Sequence, residues 1–270
     1  MNKKSERPNL GKKPINKRIP QTPTTSWGGV ADWYDTYLEK DTDNFQEKVI
    51  APNLLRILDL KKETRVFDLA CGQGFFTRKW ALTTKNVSGA DISQELIAQA
   101  TKHAPKIQFY ATPAHTLPFL KNASLDVVTI VLAIQNISNM QDVFNEVSRV
   151  LVPGGRFVLV INHPAFRAPK RSSWQWDEKE MTQYRRIDGY LSSGKIEIVM
   201  HPGKVNSEVT YSYHRPLQEF FKALSKSGFA VGRLEEWISH KKSQKGPRQE
   251  TEDRIRKEIP MFMMLEAIKK

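Results

Sequence analysis

The chain contains very little cysteine and no long apolar segment. Cys71 is the single cysteine among 270 residues, which excludes an internal disulfide and a cysteine-rich metal site. No apolar run approaches the ~18 residues that a membrane-spanning helix needs. The N-terminus is basic but has no apolar core after it, so no signal peptide is visible. We therefore expect a cytoplasmic protein with no metal centre and no membrane span.

Several motifs of nucleotide-dependent and hydrolytic enzymes are also missing. A P-loop needs Gly-Lys-Ser/Thr after its second glycine, whereas Gly74 is followed by two phenylalanines. The dinucleotide fingerprint needs a third glycine where Thr77 stands. No Gly-x-Ser-x-Gly elbow occurs in the chain. These absences exclude three common enzyme classes that use a glycine turn after a strand.

Residues 66–76 are typical of a short buried strand, a glycine turn and the start of a helix. Gly72 and Gly74 can adopt backbone angles that a β-carbon forbids, and they allow a ligand to approach the main chain. A plain turn is the alternative interpretation. Asp91 ends the next strand about 20 residues further on, the spacing at which a carboxylate reaches ribose hydroxyls. Because Ser93 is available as the helix cap, Asp91 is not needed for capping.

The pattern Asp-x-Ala-x-Gly-x-Gly at 68–74, the acid Asp91 and Leu-x-Pro-Gly-Gly-x-Phe at 151–157 resemble motifs of the class I S-adenosylmethionine-dependent methyltransferases. The resemblance covers about residues 27–268. Alternation of strands and helices over 64–162 independently favours a doubly wound parallel sheet. The resemblance implies an α/β, Rossmann-like, seven-stranded sheet with a closing antiparallel hairpin, helices on both faces and S-adenosylmethionine as cofactor.

The rest of the chain divides by composition. Residues 1–26 carry seven Lys and Arg against one Glu, with four prolines, and are expected to form a disordered basic tail. Residues 27–270 are expected to form the methyltransferase domain, with a helical cap over 27–60 and a substrate lid inserted at 165–214. Within the lid, 195–200 and 208–213 alternate like a hairpin. The polar stretch 239–257 lacks a core-forming pattern and is expected to be mobile.

The resemblance also implies the cofactor contacts. They are Tyr34, Asp68, Ala70, Gly72, Gln73, Gly74, Asp91, Ile92, Pro113, Ala114, Leu132 and Gln135. Tyr34 would close over the methionine end of the cofactor, Asp91 would hold the ribose and Asp68 would orient the turn. Pro113 stands where the family often has aspartate, so a side-chain contact with adenine is lost.

Candidate groups for catalysis and substrate binding follow later strands. Asn136 is expected to face the cofactor or the substrate. His163 ends the fifth strand, where an imidazole with a pKa near 6.5 could act as general base, or could simply hold its loop. His214 and Arg215 are candidate substrate contacts. Methyl transfer can also proceed without a base, because alignment of the reactants supplies much of the rate.

The sequence thus predicts direct methyl transfer to an oxygen, nitrogen or carbon atom of a small molecule. Methylation of a nucleic-acid base at a carbon atom needs a cysteine nucleophile. The single cysteine, Cys71, lies inside the glycine turn, so this reaction is not expected. Two alternatives remain open: an RNA methyltransferase that uses the basic tail, and an S-adenosylmethionine-binding protein without catalysis. No motif identifies the methyl acceptor or the oligomeric state.

Overall fold

The computed structural model describes residues 27–200 and 207–270. The expected disordered tail, 1–26, and the segment His201-Pro202-Gly203 lie outside the described residues. Among the helices of the described part, none has the length and apolar character needed to cross a bilayer.

The strands are β1 (Val66–Leu69), β2 (Val87–Asp91), β3 (Gln108–Ala111), β4 (Leu125–Val131), β5 (Leu151–Asn162), β6 (Ser172–Asp177), β7 (Thr182–Ile187), β8 (Gly194–Val199), β9 (Val209–His214), β10 (Phe229–Trp237) and β11 (Phe262–Lys269). The helices are α1 (Ala31–Lys40), α2 (Ala51–Leu58), α3 (Phe75–Trp80), α4 (Gln94–His103), α5 (Met140–Val150), α6 (Leu217–Lys226) and α7 (Gln249–Glu258). A π-helical turn, Gln46–Ile50, leads directly into α2.

Seven strands form one sheet in the order β3-β2-β1-β4-β5-β11-β10. The first five are parallel, and β11 runs antiparallel to both β5 and β10. The fold prediction is therefore confirmed, including the closing antiparallel pair. The order reverses beside β1, which creates the crevice at the carboxyl ends of the strands where ligands bind in open α/β sheets.

Alternation along the central strands divides the core between the two faces of the sheet. Phe157, Leu159 and Ile161 of β5 belong to the core under α5 and α6. Val158 and Val160 belong to the core under α2 and α3. Because both faces are covered, the strand reads as a continuous apolar run rather than an alternating one. Helices on both faces follow from this pattern.

The described part of the segment 165–214 contains two antiparallel strand pairs between β5 and α6. β8 pairs with β9, in register from Gly194 opposite His214 to Val199 opposite Val209, which matches the alternation seen in the sequence. β6 pairs with β7, and this hairpin was not predicted, although Trp174 and Trp176 alternate with polar residues along β6. β9 lies against the turn that follows β4.

The stretch 239–257 differs from its prediction, since it contains α7. None of the α7 residues is buried, so the helix lacks the apolar stripe that makes a helix visible in a sequence. It packs beside β7 and is linked to the lid by Arg248, which forms an ion pair with Glu178 at 2.7 Å. The packing of α7 beside β7 is therefore accompanied by ion pairing and not by burial of apolar side chains.

Candidate functional site

A cleft of about 340 Å³ opens at the carboxyl ends of β1, β2 and β4. Most of the predicted site residues line it: Tyr34, Asp68, Ala70, Gly72, Gln73, Asp91, Ile92, Pro113, Ala114, Leu132 and Asn136. The other predicted residues lie elsewhere in the described part of the chain: Gly74, Gln135, His163, His214 and Arg215. A volume of this size falls within the range of small-molecule sites, roughly 300–1,000 Å³.

The glycine turn after β1 uses left-handed backbone angles repeatedly. Ala70, Gly72 and Gly74 have φ values of 54°, 56° and 79°. At Gly72, an added β-carbon would come within 3.8 Å of the Tyr34 ring. At Gly74 it would meet Phe109 at 3.1 Å. Gly74 therefore allows close packing against β3, which differs from its predicted role in ligand approach.

Asp91 connects the second strand to the glycine turn. One carboxylate oxygen accepts a hydrogen bond from the Gly72 N–H and the other accepts from the Ser93 N–H, each at 2.9 Å. Ser93 itself caps α4 by accepting from the Leu96 N–H. Burial raises the pKa of Asp91. Each carboxylate oxygen has a further lone pair, so Asp91 can still accept hydrogen bonds from a ligand in the cleft.

Asp68 lies beneath the turn and is only 1% exposed. It accepts hydrogen bonds from the hydroxyls of Thr77, at 2.6 Å, and Thr129, at 3.0 Å. Burial raises the pKa of Asp68 to about 6, although both threonine hydrogen bonds favour the ionised form. The carboxylate thereby links β1 to α3 and to β4, which keeps the edges of the cleft together.

Tyr34 forms the roof over the turn. Its ring contacts Trp27 edge-on, with centroids 5.5 Å apart, and burial raises its pKa to about 12. The phenol is therefore neutral at physiological pH. Both aromatic rings line the cleft, so the N-terminal cap contributes directly to its walls.

Side-chain bonds fasten the cap to the domain. Gln73 donates to Glu39 at 3.1 Å and accepts from Arg78 at 2.9 Å, while Arg78 also pairs with Glu39. A second link joins His103 to Asp35 at 2.7 Å. Gln73 thus uses its side chain on the cap, although the residue borders the cleft.

The opposite wall follows β3 and β4. Pro113, Ala114 and His115 border the cleft after β3. Leu132, directly after β4, has a φ of 53°, an uncommon conformation for a residue with a branched side chain. The Asn136 side chain makes no hydrogen bond within the described residues, and Asn136 borders the cleft. Asn136 is therefore a polar group that remains available to a ligand.

His163 does not line the cleft, and its hydrogen bonds differ from those expected of a general base. Its Nε2 lies 2.7 Å from a carboxylate oxygen of Glu236. Its Nδ1 accepts from the N–H groups of Ala165 and Phe166 at 3.2 and 3.3 Å. Both ring nitrogens are therefore occupied, and burial lowers the pKa of His163. The structure corresponds to the alternative interpretation, in which this histidine holds its loop.

Gln135, His214 and Arg215 border a separate cavity of about 30 Å³ beside His163. Gln135 donates to the carbonyl of Leu132 at 2.8 Å, so its amide faces away from the cleft. His214 bonds the carbonyl of Tyr190 at 2.8 Å. These placements differ from the predicted cofactor contact of Gln135 and the predicted substrate contact of His214.

Arg215 also turns away from the cleft. It is 8% exposed and donates to the carbonyls of Ile137 and Ser138 at 2.7 and 2.8 Å. Its neighbour Tyr213 borders both the cleft and the small cavity. Arg215 therefore anchors the end of β9 to the turn that carries Asn136, instead of reaching a substrate in the cleft.

Among the residues that line or support the cleft, Thr77, Thr129, Trp27 and Tyr213 were not predicted. Thr129 carried a weak signal, because a hydroxyl in the apolar run of β4 needs a buried partner. Trp27 and Tyr213 lie far from the glycine turn in sequence. Only the tertiary arrangement of the cap and β9 brings them to the cleft.

Comparisons with known proteins agree with this geometry. Residues 67–159 match the family model described as a methyltransferase domain. Over 110 residues the chain is 34% identical to the ubiquinone/menaquinone biosynthesis C-methyltransferase of Campylobacter jejuni, a match covering 38% of this chain and 46% of that protein. It is 25% identical over 177 residues to the malonyl-[acyl-carrier protein] O-methyltransferase of Pectobacterium atrosepticum, covering 66% of each.

A solved S-adenosylmethionine-dependent methyltransferase from Mesorhizobium loti superposes with a TM-score of 0.64 at 27% sequence identity. The superposition covers 83% of this chain and 99% of that one. In the sequence comparisons, the chain spans about half the length of the first curated relatives that it matches. Residues 67–159, which the family model matches, contain the glycine turn, Asp91 and most of the strands that border the cleft.

Proposed function

We propose, from the premise that the chain belongs to the class I S-adenosylmethionine-dependent methyltransferases, that it transfers a methyl group to an oxygen, nitrogen or carbon atom of a small molecule. The observation that carries this proposal is the bond between the Gly72 N–H and the Asp91 carboxylate at the base of the cleft. It joins the turn that permits close approach to the acid that can receive ribose hydroxyls.

The residues of the cleft fit S-adenosylmethionine chemically. Asp91 has carboxylate lone pairs left for two hydroxyl protons. Ile92 is 55% exposed beside Pro113 and Ala114, and together they offer an apolar slot for a flat adenine ring. Asp68 is a buried carboxylate near the turn, and a cationic amino group close to it would favour its ionised form.

When bound, this cofactor supplies a methyl group on a positively charged sulfur, which is a strong methyl donor. We assign to this chain the tasks of binding and alignment, for which a fixed geometry supplies much of the rate. Tyr34 covers the turn, and Leu132 and Asn136 lie on the wall where the methyl acceptor would enter. His163 receives no catalytic role, because both of its ring nitrogens are already bonded.

The methyl acceptor would reach the cleft beside β9, since Tyr213 is the part of the lid segment that borders it within the described residues. Relatives bearing the names of quinone and acyl-carrier-protein methyltransferases favour a small or carrier-bound organic acceptor. We also propose that the protein acts in the cytoplasm, where Cys71 stays reduced. RNA methylation through the 1–26 tail is kept as an outcome of the experiment below.

The first test is cofactor binding by Asp91→Asn. S-adenosylhomocysteine at a hundredfold excess over its dissociation constant should stabilise the wild-type protein by about 2.7 kcal/mol. Asp91→Asn should lose this stabilisation, because an amide presents N–H groups where the hydroxyls and the Gly72 N–H need acceptors. Asp126→Asn is the matched control, because Asp126 pairs with Arg65 away from the cleft and should leave binding unchanged.

The second test is transfer of labelled methyl groups into the small-molecule, protein and RNA fractions of a cell extract. Label in small molecules or on a carrier protein, lost with Asp91→Asn, supports the proposal. Label in RNA that disappears when residues 1–26 are deleted would replace it with the nucleic-acid alternative. Cofactor binding without label in any fraction would indicate a binding protein without catalysis.

A further inference from the structure

The lid segment and α7 bring three guanidinium groups together outside the cleft. Arg167 and Arg185 both lie over the ring of Trp174, with Cζ atoms 5.5 and 5.0 Å from its centroid. Arg256 of α7 is close enough that its charge acts on Arg167. We call Arg167, Arg185 and Arg256 the lid arginine cluster. None of them borders the cleft at the carboxyl ends of β1, β2 and β4.

The cluster has no carboxylate partner within 27–200 and 207–270. No ion pair involves any of its three arginines, whereas the adjacent Arg186 pairs with Asp188 at 2.8 Å. Asp253 feels the charge of Arg256 but accepts from the backbone N–H of Ser243 at 2.6 Å. The arginines of the cluster are therefore not paired directly with a carboxylate, although Asp253 lies within reach of the charge of Arg256.

Several hydrogen-bond donors of the cluster also lack an acceptor. Arg185 donates to the Phe166 carbonyl and to the Ser172 hydroxyl, and Arg256 donates to the Ser243 hydroxyl. The Nε groups of Arg167 and Arg256 are buried without a partner among the described residues. Arg167 makes no side-chain hydrogen bond there at all, so it has five N–H donors to offer.

Such an arrangement is unfavourable unless an anion joins it. Burying a cation without a partner costs free energy, and like charges nearby add to that cost. Burial, together with the charges of Arg185 and Arg256, lowers the pKa of Arg167 to about 10. Planar guanidinium groups match the oxygens of phosphate and carboxylate groups and form short, charge-assisted bonds with them.

We propose that the lid arginine cluster is an oxyanion-binding site, centred on Arg167, for phosphate or for the phosphate group of a larger ester. Three cations suit a doubly charged anion better than a single carboxylate. Arg256 also borders an open pocket together with Lys242 and Arg248, so this member of the cluster is accessible from that side. This site is separate from the cleft and does not depend on methyl transfer.

The test is calorimetric titration of the full-length protein with inorganic phosphate and with phenyl phosphate, at constant ionic strength set by chloride. Binding by the wild-type protein and a loss of about tenfold or more in Arg167→Gln are expected, because charge-assisted bonds are removed. Arg186→Gln is the matched control and should bind as the wild type does. Binding of phenyl phosphate identifies an ester site, and binding of phosphate alone identifies a site for the free anion.

Thermal unfolding without phosphate separates this site from a purely structural cluster. Arg167→Gln should unfold at the same temperature as the wild type or higher, because removal of a buried, repelled charge outweighs the lost contact with the Trp174 ring. In 10-fold excess of phosphate over its dissociation constant the order should reverse. No binding of either probe, equal binding by Arg167→Gln, or a lower unfolding temperature of this variant without phosphate would each overturn the proposal.

Discussion

Replacing Asp68 with asparagine should stabilise the protein without its ligand at neutral pH. Asp68 accepts hydrogen bonds from Thr77 and Thr129, and it is almost completely buried. Asparagine has the same shape, and the threonine hydroxyls can rotate to donate to its oxygen or accept from its amide. The substitution therefore removes a buried negative charge while the two hydrogen bonds can persist.

The magnitude follows from the pKa of Asp68, which burial raises from 3.8 to about 6. Because the folded-state pKa lies above the unfolded one, this group favours folding most below pH 4 and loses that contribution as the pH rises through 6. A difference of roughly 2 pKa units corresponds to about 3 kcal/mol. Since domains are stabilised by roughly 5–15 kcal/mol in total, the change is readily measured.

The assay is urea unfolding of the wild type and Asp68→Asn at intervals from pH 4 to pH 8. The wild type should lose stability between pH 4 and pH 7, whereas Asp68→Asn should show a smaller slope and exceed the wild type at pH 7. Burial also raises the pKa of Asp91. Titration of Asp91 should therefore produce the pH dependence of stability that remains in Asp68→Asn. Asp126→Asn is a control whose effect on stability at pH 7 should have the opposite sign. Because Arg65 lowers the pKa of Asp126, loss of this carboxylate should destabilise the protein. Parallel pH profiles for wild type and Asp68→Asn would refute the reasoning.

Two further predictions concern the turn and the loop after β5. Gly74→Ala should destabilise the protein by more than Gly154→Ala. Both glycines have positive φ, but only at Gly74 would the added β-carbon meet Phe109. Chemical unfolding of the two variants measures the difference, and equal losses of stability would mean that backbone strain alone is responsible. His163→Gln should lower stability, because its contact with Glu236 is lost, yet leave the pH profile of methyl transfer unchanged; loss of a limb of that profile would restore the general-base hypothesis.

The sheet and its topology could be predicted because their determinants are local. The strand at 66–69 is followed by a turn in which Gly72 and Gly74 have positive φ, a conformation that the residue type indicates. By contrast, α7 has no buried residue, so apolar periodicity, the main signal for helices, is absent. Its charged contacts with the lid segment are long-range and leave no pattern in the local sequence.

The residues around the cleft could also be predicted in outline. A residue that directly follows a parallel strand lies at the carboxyl edge of the sheet, and this position is visible in the sequence. The direction of each side chain could not. Gln135 and Asn136 are neighbours in a 3₁₀ turn, where successive side chains point about 120° apart. One therefore bonds the Leu132 carbonyl and the other borders the cleft. A shift of one residue decides which amide a ligand can reach.

The same limit explains His163, whose residue type and position suggested catalysis. A histidine at the carboxyl end of a strand can reach a ligand only if its ring nitrogens are free. Here Nδ1 is needed to accept two backbone N–H groups of the following loop, and the contact with Glu236 comes from the distant strand β10. A buried loop has to satisfy its backbone donors, and His163 meets that need.

The residues that hold the cleft together are largely distinct from those available to a ligand. Ala70 and Leu132 both have left-handed backbone angles at the ends of neighbouring strands, a conformation that persists only where the surroundings impose it. Asp68 supplies such a constraint, because its two threonine partners belong to α3 and β4. Asp91 fixes the turn through the Gly72 N–H and keeps lone pairs to offer. Because this framework consists of bonds within the chain, little ordering should remain for the binding step, and alignment can contribute fully to methyl transfer.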